Sequence, residues 1–254
     1  MVKENVLDLA NKISRVKRGS KNEITPDRPE YKILEPIVSE EMAEVGLCLE
    51  LRIHKSAAEV ATICGKPEEE TEKLLWELAV AGACFVNEIE GVNQYWIELW
   101  VPGHMELIVN NKENIQKYPE LGRAFDEYGK LKAPMAAGNV PVGSGPMRVI
   151  PIERSIDGET RTASYEEVSK YLNENTIFSV SDCACRTSRE AMGEGCGHLK
   201  EDMCIQLGHA AEYYIRTGRG REISREEAIR LGHVTAEEYD EIVVPAKMVG
   251  KLPE

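Results

Sequence analysis

The sequence predicts an α+β protein, and two observations on its 254 residues favour that class. Apolar side chains recur at helical spacing through several segments, and serine or threonine residues mark where those helices begin. Residues 84–89 and 94–100 instead have the composition of strands, and a turn over residues 90–93 joins them. Because 42% of the residues are hydrophobic, the chain can bury a core.

Residues 35–112 contain start signals for three helices. Ser39 can cap a first helix, Ser56 with Glu59 forms a capping box for a second, and Pro67 suits the first turn of a third. The two predicted strands follow this third helix. Three helices and then a β-hairpin are the order of a winged-helix domain, which we therefore expect here.

Charge argues against the DNA-binding role that a winged helix invites. The chain has 31 Lys and Arg against 44 Asp and Glu, a net charge of −13, and 6% aromatic residues. The helix that would enter a DNA groove opens with Glu68-Glu69-Glu70-Thr71-Glu72, where contacts to phosphates would be required. We expect this domain to dock a protein, and nucleic acid is not the expected partner.

The amino terminus and the hydropathy pattern indicate in which cell compartment the protein is expected. The chain opens Met1-Val2-Lys3-Glu4-Asn5 without the apolar core of a secretory signal, and no apolar run approaches the roughly 18 residues of a membrane span. The odd number of cysteines, seven, disfavours a disulfide framework. These features predict a cytoplasmic protein with no membrane partner.

Composition shifts divide the chain into four predicted parts. An amino-terminal helix and extended arm precede the winged-helix-like domain. A helix near 118–130 and a Gly/Pro-rich linker at 134–146 lead to an edge strand at 148–152. A mostly helical domain closes the chain, with capping boxes that begin at Ser164, Ser224 and Thr235. The predicted boundaries are 1–34, 35–112, 113–163 and 164–254.

Four of the seven cysteines crowd into one short segment of the last domain, with the spacing Cys183-x-Cys185-x10-Cys196-x7-Cys204. Residues 177–181 have the composition of a strand, and in an extended chain Cys183 and Cys185 point the same way and can address one metal centre. We expect Cys204 to begin a helix that runs toward Gly218, where exposed amides favour the thiolate.

Glycine and arginine residues surround these thiols. Gly195 and Gly197 flank Cys196, and with Gly193 they allow positive φ and turn backbone amides toward anionic sulfur. Arg186 directly follows the second cysteine and is expected to raise the reduction potential of a bound centre. Further basic residues near the segment are Arg189, Lys200, Arg216, Arg219 and Arg221.

Two kinds of soft-metal site suit four thiolates. Structural zinc accepts four cysteines, but its ribbons and fingers use two close pairs, and this segment has one. A [4Fe–4S] cluster takes one thiolate at each iron corner, so dispersed single cysteines suit it. We favour the cluster and keep zinc as the alternative, with the metal ligands Cys183, Cys185, Cys196 and Cys204.

The cysteine pattern also resembles a known family. Cys183-Ala184-Cys185-Arg186, then Gly195-Cys196, then Cys204 with Gly208, are similar to the cluster segment of ferredoxin-like iron–sulfur proteins of anaerobes. In that family a winged-helix-like part precedes the cysteines, and residues 147–152 resemble its edge strand. The resemblance implies a [4Fe–4S] centre that serves electron transfer, often beside a flavin- and NAD(P)-dependent oxidoreductase.

The chain departs from this family in two respects. Longer members of that family continue into further cysteine-rich ferredoxin repeats, which this sequence does not contain. We therefore expect a separate subunit or a fragment. His198 and His209 lie near the predicted ligands, where the family pattern does not ask for histidine. Each can tune or replace a ligand, or be a bystander.

The sequence therefore predicts a non-catalytic electron-transfer subunit or domain, whose partner is a flavoprotein or another iron–sulfur protein. Self-association is left open. Tyr213 and Tyr214 are expected to shield one side of the cluster, and His104 with Glu106 is a weak acid–base candidate. Two alternatives of different class are a redox-sensing winged-helix transcription regulator and a zinc-stabilised interaction module.

Overall fold

The computed structural model describes residues 2–139 and 168–232, and the chain divides into two compact units. The first unit comprises residues 1–130 with 184–194, and the second comprises residues 131–183 with 195–254. Helices and two antiparallel three-stranded sheets make up the described residues, so the expected mixture of helix and sheet is confirmed.

The described residues contain helices in both units and one π-helical turn, over Trp100–His104. The helices are α1 (Glu4–Ile13), α2 (Pro29–Leu34), α3 (Glu40–Gly46), α4 (Ala57–Cys64), α5 (Glu68–Ala81), α6 (Met105–Val109), α7 (Lys112–Lys117), α8 (Glu120–Asn139), α9 (Val168–Glu174), α10 (Ala184–Ala191), α11 (His209–Arg216) and α12 (Arg225–Gly232). The strands are β1 (Lys55–Ser56), β2 (Phe85–Ile89), β3 (Val92–Trp96), β4 (Phe178–Ser181), β5 (Cys204–Leu207) and β6 (Gly220–Ile223).

Three helix caps predicted from local sequence are confirmed. Ser39 Oγ accepts a hydrogen bond from an amide in the first turn of α3. Ser56 and Glu59 form a reciprocal capping box at α4, because each side chain accepts a hydrogen bond from the backbone amide of the other. Ser224 Oγ accepts a hydrogen bond from the amide of Glu227 at 3.1 Å, at the start of α12. These caps satisfy amides that a helix leaves unpaired in its first turn.

The predicted hairpin of the first unit is present with a tighter turn. Glu90 and Gly91 alone separate β2 from β3, and both have positive φ, 52° and 78°. A two-residue turn of this kind matches the twist of the paired strands. β1 pairs with the other side of β3, so the strand order is β1-β3-β2. β3 ends at Trp96, and Trp100 begins the π-helical turn instead of ending the strand.

Close packing of α3 against α5 and α1 forms the centre of the first unit. Gly46 lies at the end of α3, and a Cβ atom there would be 2.9 Å from a methyl of Leu78 and 3.3 Å from a methyl of Leu9. Leu9, Leu78 and Tyr95 are fully buried. A larger residue at position 46 would therefore overpack this core.

The long helix α8 extends into a region that the sequence predicts as a linker. Helix was expected to 130 and loop from 134, but the backbone is helical to Asn139. Pro134 cannot donate a hydrogen bond to the carbonyl of Lys130, whereas the following Met135-Ala136-Ala137 favour helix. Local helix propensity outweighs the missing hydrogen bond here.

The second unit is built around strand β4. β4 pairs antiparallel with β5 on one side and β6 on the other, so the order is β5-β4-β6. All four residues of β4 are buried, which confirms the predicted strand at 177–181. The apolar core of the second unit consists of Leu172, Phe178, Val180, Ile223 and Ala228, with Ile205, Leu207 and Leu231 packed against it.

Some predicted features lie outside the described residues: the edge strand at 148–152, the remainder of the 134–146 linker beyond Asn139, and the capping boxes at Ser164 and Thr235. Within the two described stretches, no helix is long and apolar enough to cross a membrane.

The hydrogen bonds between α5 and the hairpin give a first prediction. The buried hydroxyl of Tyr95 donates to Glu72 Oε1 at 2.7 Å, and Asn93 Nδ2 donates to the same oxygen at 2.6 Å. Burial, with the Glu72 carboxylate second, raises the pKa of Tyr95. Tyr95→Phe removes a hydrogen bond to a charged acceptor and should lower the free energy of unfolding by about 2 kcal/mol, measured by urea denaturation.

Tyr118→Phe is the control, because Tyr118 is half-buried and lies between α7 and α8, outside α5 and the hairpin. We expect the control to change the free energy of unfolding by less than about 0.5 kcal/mol. Equal effects of the two substitutions would mean that the contact between Tyr95 and Glu72 does not hold the hairpin to α5.

Candidate metal centre

The four clustered cysteines belong to different elements. Cys183, Cys196 and Cys204 lie in the second unit, whereas Cys185 lies in the first unit as the second residue of α10. All seven cysteines are within the described residues, and no disulfide joins any two of them. Cys185 is exposed and the other three of the segment are half-buried. Each of the four is thus at least partly accessible.

Cys204 begins a strand, so its predicted position at a helix amino terminus is wrong. It is the first residue of β5 and stands opposite Ser181 in the ladder with β4. α11 begins five residues later, after Gly208, whose φ of 56° and ψ of −128° suit glycine alone. A Cβ atom at Gly208 would be 2.6 Å from Asn175 Oδ1. The long-range pairing with β4 therefore overrides the helical pattern.

Cys183 and Cys185 do not share one side of an extended chain, because α10 begins at Ala184. Contacts within the first unit hold this helix. Ser188 is buried, and its hydroxyl donates to the carbonyl of Gly122 at 3.0 Å, while Arg189 pairs with Asp126 at 2.9 Å. The sequence prediction assumed that the strand before Cys183 continues through Cys185. It could not include the contacts with Gly122 and Asp126, because these residues are distant along the chain.

A loop over residues 195–203 returns the chain to Cys183 within the second unit. The amide of Cys183 donates a hydrogen bond to the carbonyl of Lys200 at 2.8 Å, just beyond the end of β4. As predicted, Gly193 and Gly197 have positive φ, 73° and 75°. Gly195 does not have a positive φ. The backbones of Cys183 and Cys204 therefore lie at the same end of the sheet.

Three of the further basic residues near the segment, Arg189, Arg216 and Arg221, are engaged by carboxylates. Arg221 Nη2 lies 2.7 Å from Asp202 Oδ2 and 2.7 Å from Glu227 Oε1, and these hydrogen bonds raise the pKa of Arg221. Asp202, which the sequence did not single out, has a positive φ of 53° and ties the loop before Cys204 to β6. Two further pairs are Arg189 with Glu194 and Arg216 with Glu212.

Aromatic side chains and one arginine are buried in the second unit. Tyr213 and Tyr214 on α11 are buried, with their ring centroids 6.1 Å apart at an edge-to-face angle. The guanidinium carbon of Arg219 lies 5.1 Å from the Tyr213 ring centroid, and this arginine is 2% exposed. That separation permits a cation–π interaction. Arg186 is half-buried on α10 of the first unit.

The two histidines near the cysteines differ in environment. His209, the first residue of α11, is exposed. His198 is half-buried in the loop after Cys196, and its Nε2 atom is buried with no hydrogen-bond partner among the described residues. A buried polar atom of this kind calls for a partner such as water, an ion or a bound group.

The donor chemistry of the second unit fits a soft metal group. Three thiols and an imidazole nitrogen that lacks a partner share a glycine-containing segment, and thiolates are the ligands that zinc and iron–sulfur clusters use. In residues 2–139 and 168–232, however, no three His, Cys, Asp or Glu side chains come together closely enough to hold a metal ion. The side chains would have to converge on binding, as metal-coupled folding allows.

The weaker candidates of the first unit are structural. His104 is fully buried, its Nδ1 lies 2.9 Å from the Gly82 carbonyl, and its Nε2 accepts a hydrogen bond from the Glu98 amide at 3.1 Å. Glu106 accepts a hydrogen bond from the amide of Gly103. Both ring nitrogens of His104 are therefore occupied by backbone. Cys48, Cys64 and Cys84 each donate from Sγ to a backbone carbonyl.

Comparisons with protein-family models, with curated proteins and with solved structures found no match to this chain.

The environment of His104 predicts a pH dependence of stability. Burial lowers the pKa of His104 to about 4, whereas the unfolded chain has an ordinary histidine pKa of about 6.5. Between those values the unfolded chain binds a proton that the folded chain does not, so stability falls as pH decreases from 6.5 to 4. From pH 7 to pH 5 this group should reduce the free energy of unfolding by about 2 kcal/mol.

The measurement is urea denaturation at both pH values, for the native sequence and for His104→Asn. Because asparagine cannot titrate, the His104→Asn protein should lose about 2 kcal/mol less stability than the native sequence between pH 7 and pH 5. His54→Asn, at an exposed position of the same unit, is the control and should keep the full dependence. Identical pH dependence in all three proteins would contradict the assignment.

Proposed function

We propose that this chain is an electron-transfer protein or domain that carries one [4Fe–4S] cluster on Cys183, Cys185, Cys196 and Cys204. The observation that carries the proposal is the return of the 195–203 loop to Cys183, through the hydrogen bond to the Lys200 carbonyl. This return places Cys183 and Cys204 at one end of the same sheet. Cys185 enters the proposal from the sequence pattern, two residues along from Cys183.

The chain's own residues suit that task. The thiols are exposed or half-buried, so a metal group can reach them. Gly197, at positive φ, leaves the backbone beside Cys196 uncovered, so that amides can approach sulfur. The chemistry that the bound group would supply is one-electron transfer. A flavoprotein or another iron–sulfur protein is the proposed redox partner.

We also propose that residues 35–112 form a winged-helix domain used for protein docking. Helices α3, α4 and α5, followed by the β2–β3 hairpin and a sheet of order β1-β3-β2, support this assignment. Glu68, Glu69 and Glu70 are exposed at the start of α5, where a DNA-binding helix would need positive charge. A basic region on the partner would complement this surface.

Serine substitution of the ligands tests the cluster. After anaerobic incubation with iron and sulfide, the native sequence should hold about four iron and four sulfide ions per chain. Cys196→Ser and Cys204→Ser each remove a thiolate and should lower the bound iron to less than about half, because a hard hydroxyl replaces a soft ligand. Iron and sulfide are determined chemically and by visible absorbance.

Cys48→Ser is the matched control, since Cys48 is half-buried like Cys196 but lies outside the segment. We expect the control to retain the full iron and sulfide content. The ligand assignment fails if Cys196→Ser and Cys204→Ser keep as much iron as the control.

A separate prediction concerns nucleic acid. The native sequence should bind a fluorescently labelled DNA duplex no more tightly than about 10⁻⁴ M at physiological salt, the weak end of non-specific binding. Arg18, near the amino terminus, does not reverse this expectation, because it pairs with Glu4, Asp8 and Glu23. Anisotropy that saturates in the micromolar range, and that weakens steeply with salt, would instead support the transcription-regulator alternative.

A further inference from the structure

Two side chains of the segment 183–204, Thr187 and His198, each have a buried polar atom without a hydrogen-bond partner among the described residues, and His198 is the one in the second unit. Its Nε2 atom is buried and has no hydrogen-bond partner within the described part of the chain. A buried polar atom left in that state destabilises the folded chain, because it has lost its hydrogen bonds to water. Proteins keep such an atom where a bound group, ion or water supplies the missing partner.

The position of His198 identifies the kind of partner. It lies two residues after Cys196, and two residues before Lys200, whose carbonyl accepts the hydrogen bond from the Cys183 amide. His198 therefore belongs to the stretch of loop that connects two proposed ligands within the second unit. A group held by Cys183 and Cys196 would therefore bind beside the loop residues that flank His198 in sequence.

The chemistry of that group calls for a donor. Four thiolates already supply one ligand to each iron, so the imidazole is not needed for coordination. Thiolate and sulfide sulfurs of a cluster are anionic acceptors, and hydrogen bonds to them raise the reduction potential. An imidazole with its proton on Nε2 is a donor of this kind.

We propose that His198 donates a hydrogen bond from Nε2 to a sulfur atom of the cluster and thereby raises its reduction potential. This assignment rests on the proposed function. His198 acts through the cluster and is a positioning and tuning residue. His209, the other histidine near the segment, is exposed at the start of α11.

The test compares the reduction potentials of reconstituted variants at one fixed pH, by redox titration followed by electron paramagnetic resonance. His198→Leu lacks a donor, so its potential should be more negative than that of the native sequence, with iron and sulfide content unchanged. His198→Gln keeps an N–H donor and should restore most of the native potential. His209→Leu is the control and should match the native sequence.

Several results would overturn the assignment. Equal potentials in His198→Leu and the native sequence would do so, as would loss of iron from both His198 variants, which would indicate ligation or a structural role. If His198→Leu does not fold, as judged by circular dichroism, His198→Phe replaces it with the same expectation. If the native sequence takes up no iron, the proposed function itself fails, and that result is distinct from equal potentials.

Discussion

The arrangement of the cysteine segment depends on the pairing of β4 with a strand on each side. β4 is buried along its whole length, and its ladder with β5 places Cys204 opposite Ser181. On the other side β6 approaches so closely that a Cβ atom at Gly220 would be 2.6 Å from the Val180 carbonyl oxygen. The chain then leaves β4 through Cys183, and the loop returns to it. The positions of Cys183 and Cys204 thus follow from backbone hydrogen bonds around β4.

The first unit combines a well-defined core with an acidic surface. Glu72 receives hydrogen bonds from Tyr95 and Asn93, so one carboxylate of the acidic helix joins that helix to the hairpin. Glu68 and Glu69 are exposed in the first turn of α5. Their negative charges interact favourably with the positive end of the helix dipole and so stabilise the helix. The same charges that stabilise this helix repel phosphate, so the winged-helix topology proposed here is better suited to a basic protein partner than to DNA.

Local signals in the sequence were sufficient for some elements and insufficient for the candidate site. The Ser56–Glu59 capping box and the hairpin were predictable because their partners lie within a few residues. The strand at Cys204 was not, because its apolar spacing also fits a helix and the deciding contact is with β4, more than twenty residues away. Cys185 was misplaced for a similar reason, since Ser188 in its helix is held by Gly122. No sequence pattern predicts a buried imidazole nitrogen that lacks a partner.

The central claim is that the late cysteines hold iron bridged by inorganic sulfide. The most direct measurement is metal analysis and visible absorbance of protein purified without oxygen, followed by electron paramagnetic resonance after reduction. The account predicts a brown protein with about four iron ions per chain and a paramagnetic signal that appears on reduction by one electron. A colourless protein with one zinc ion per chain would contradict it and would leave the zinc-stabilised interaction module as the better description.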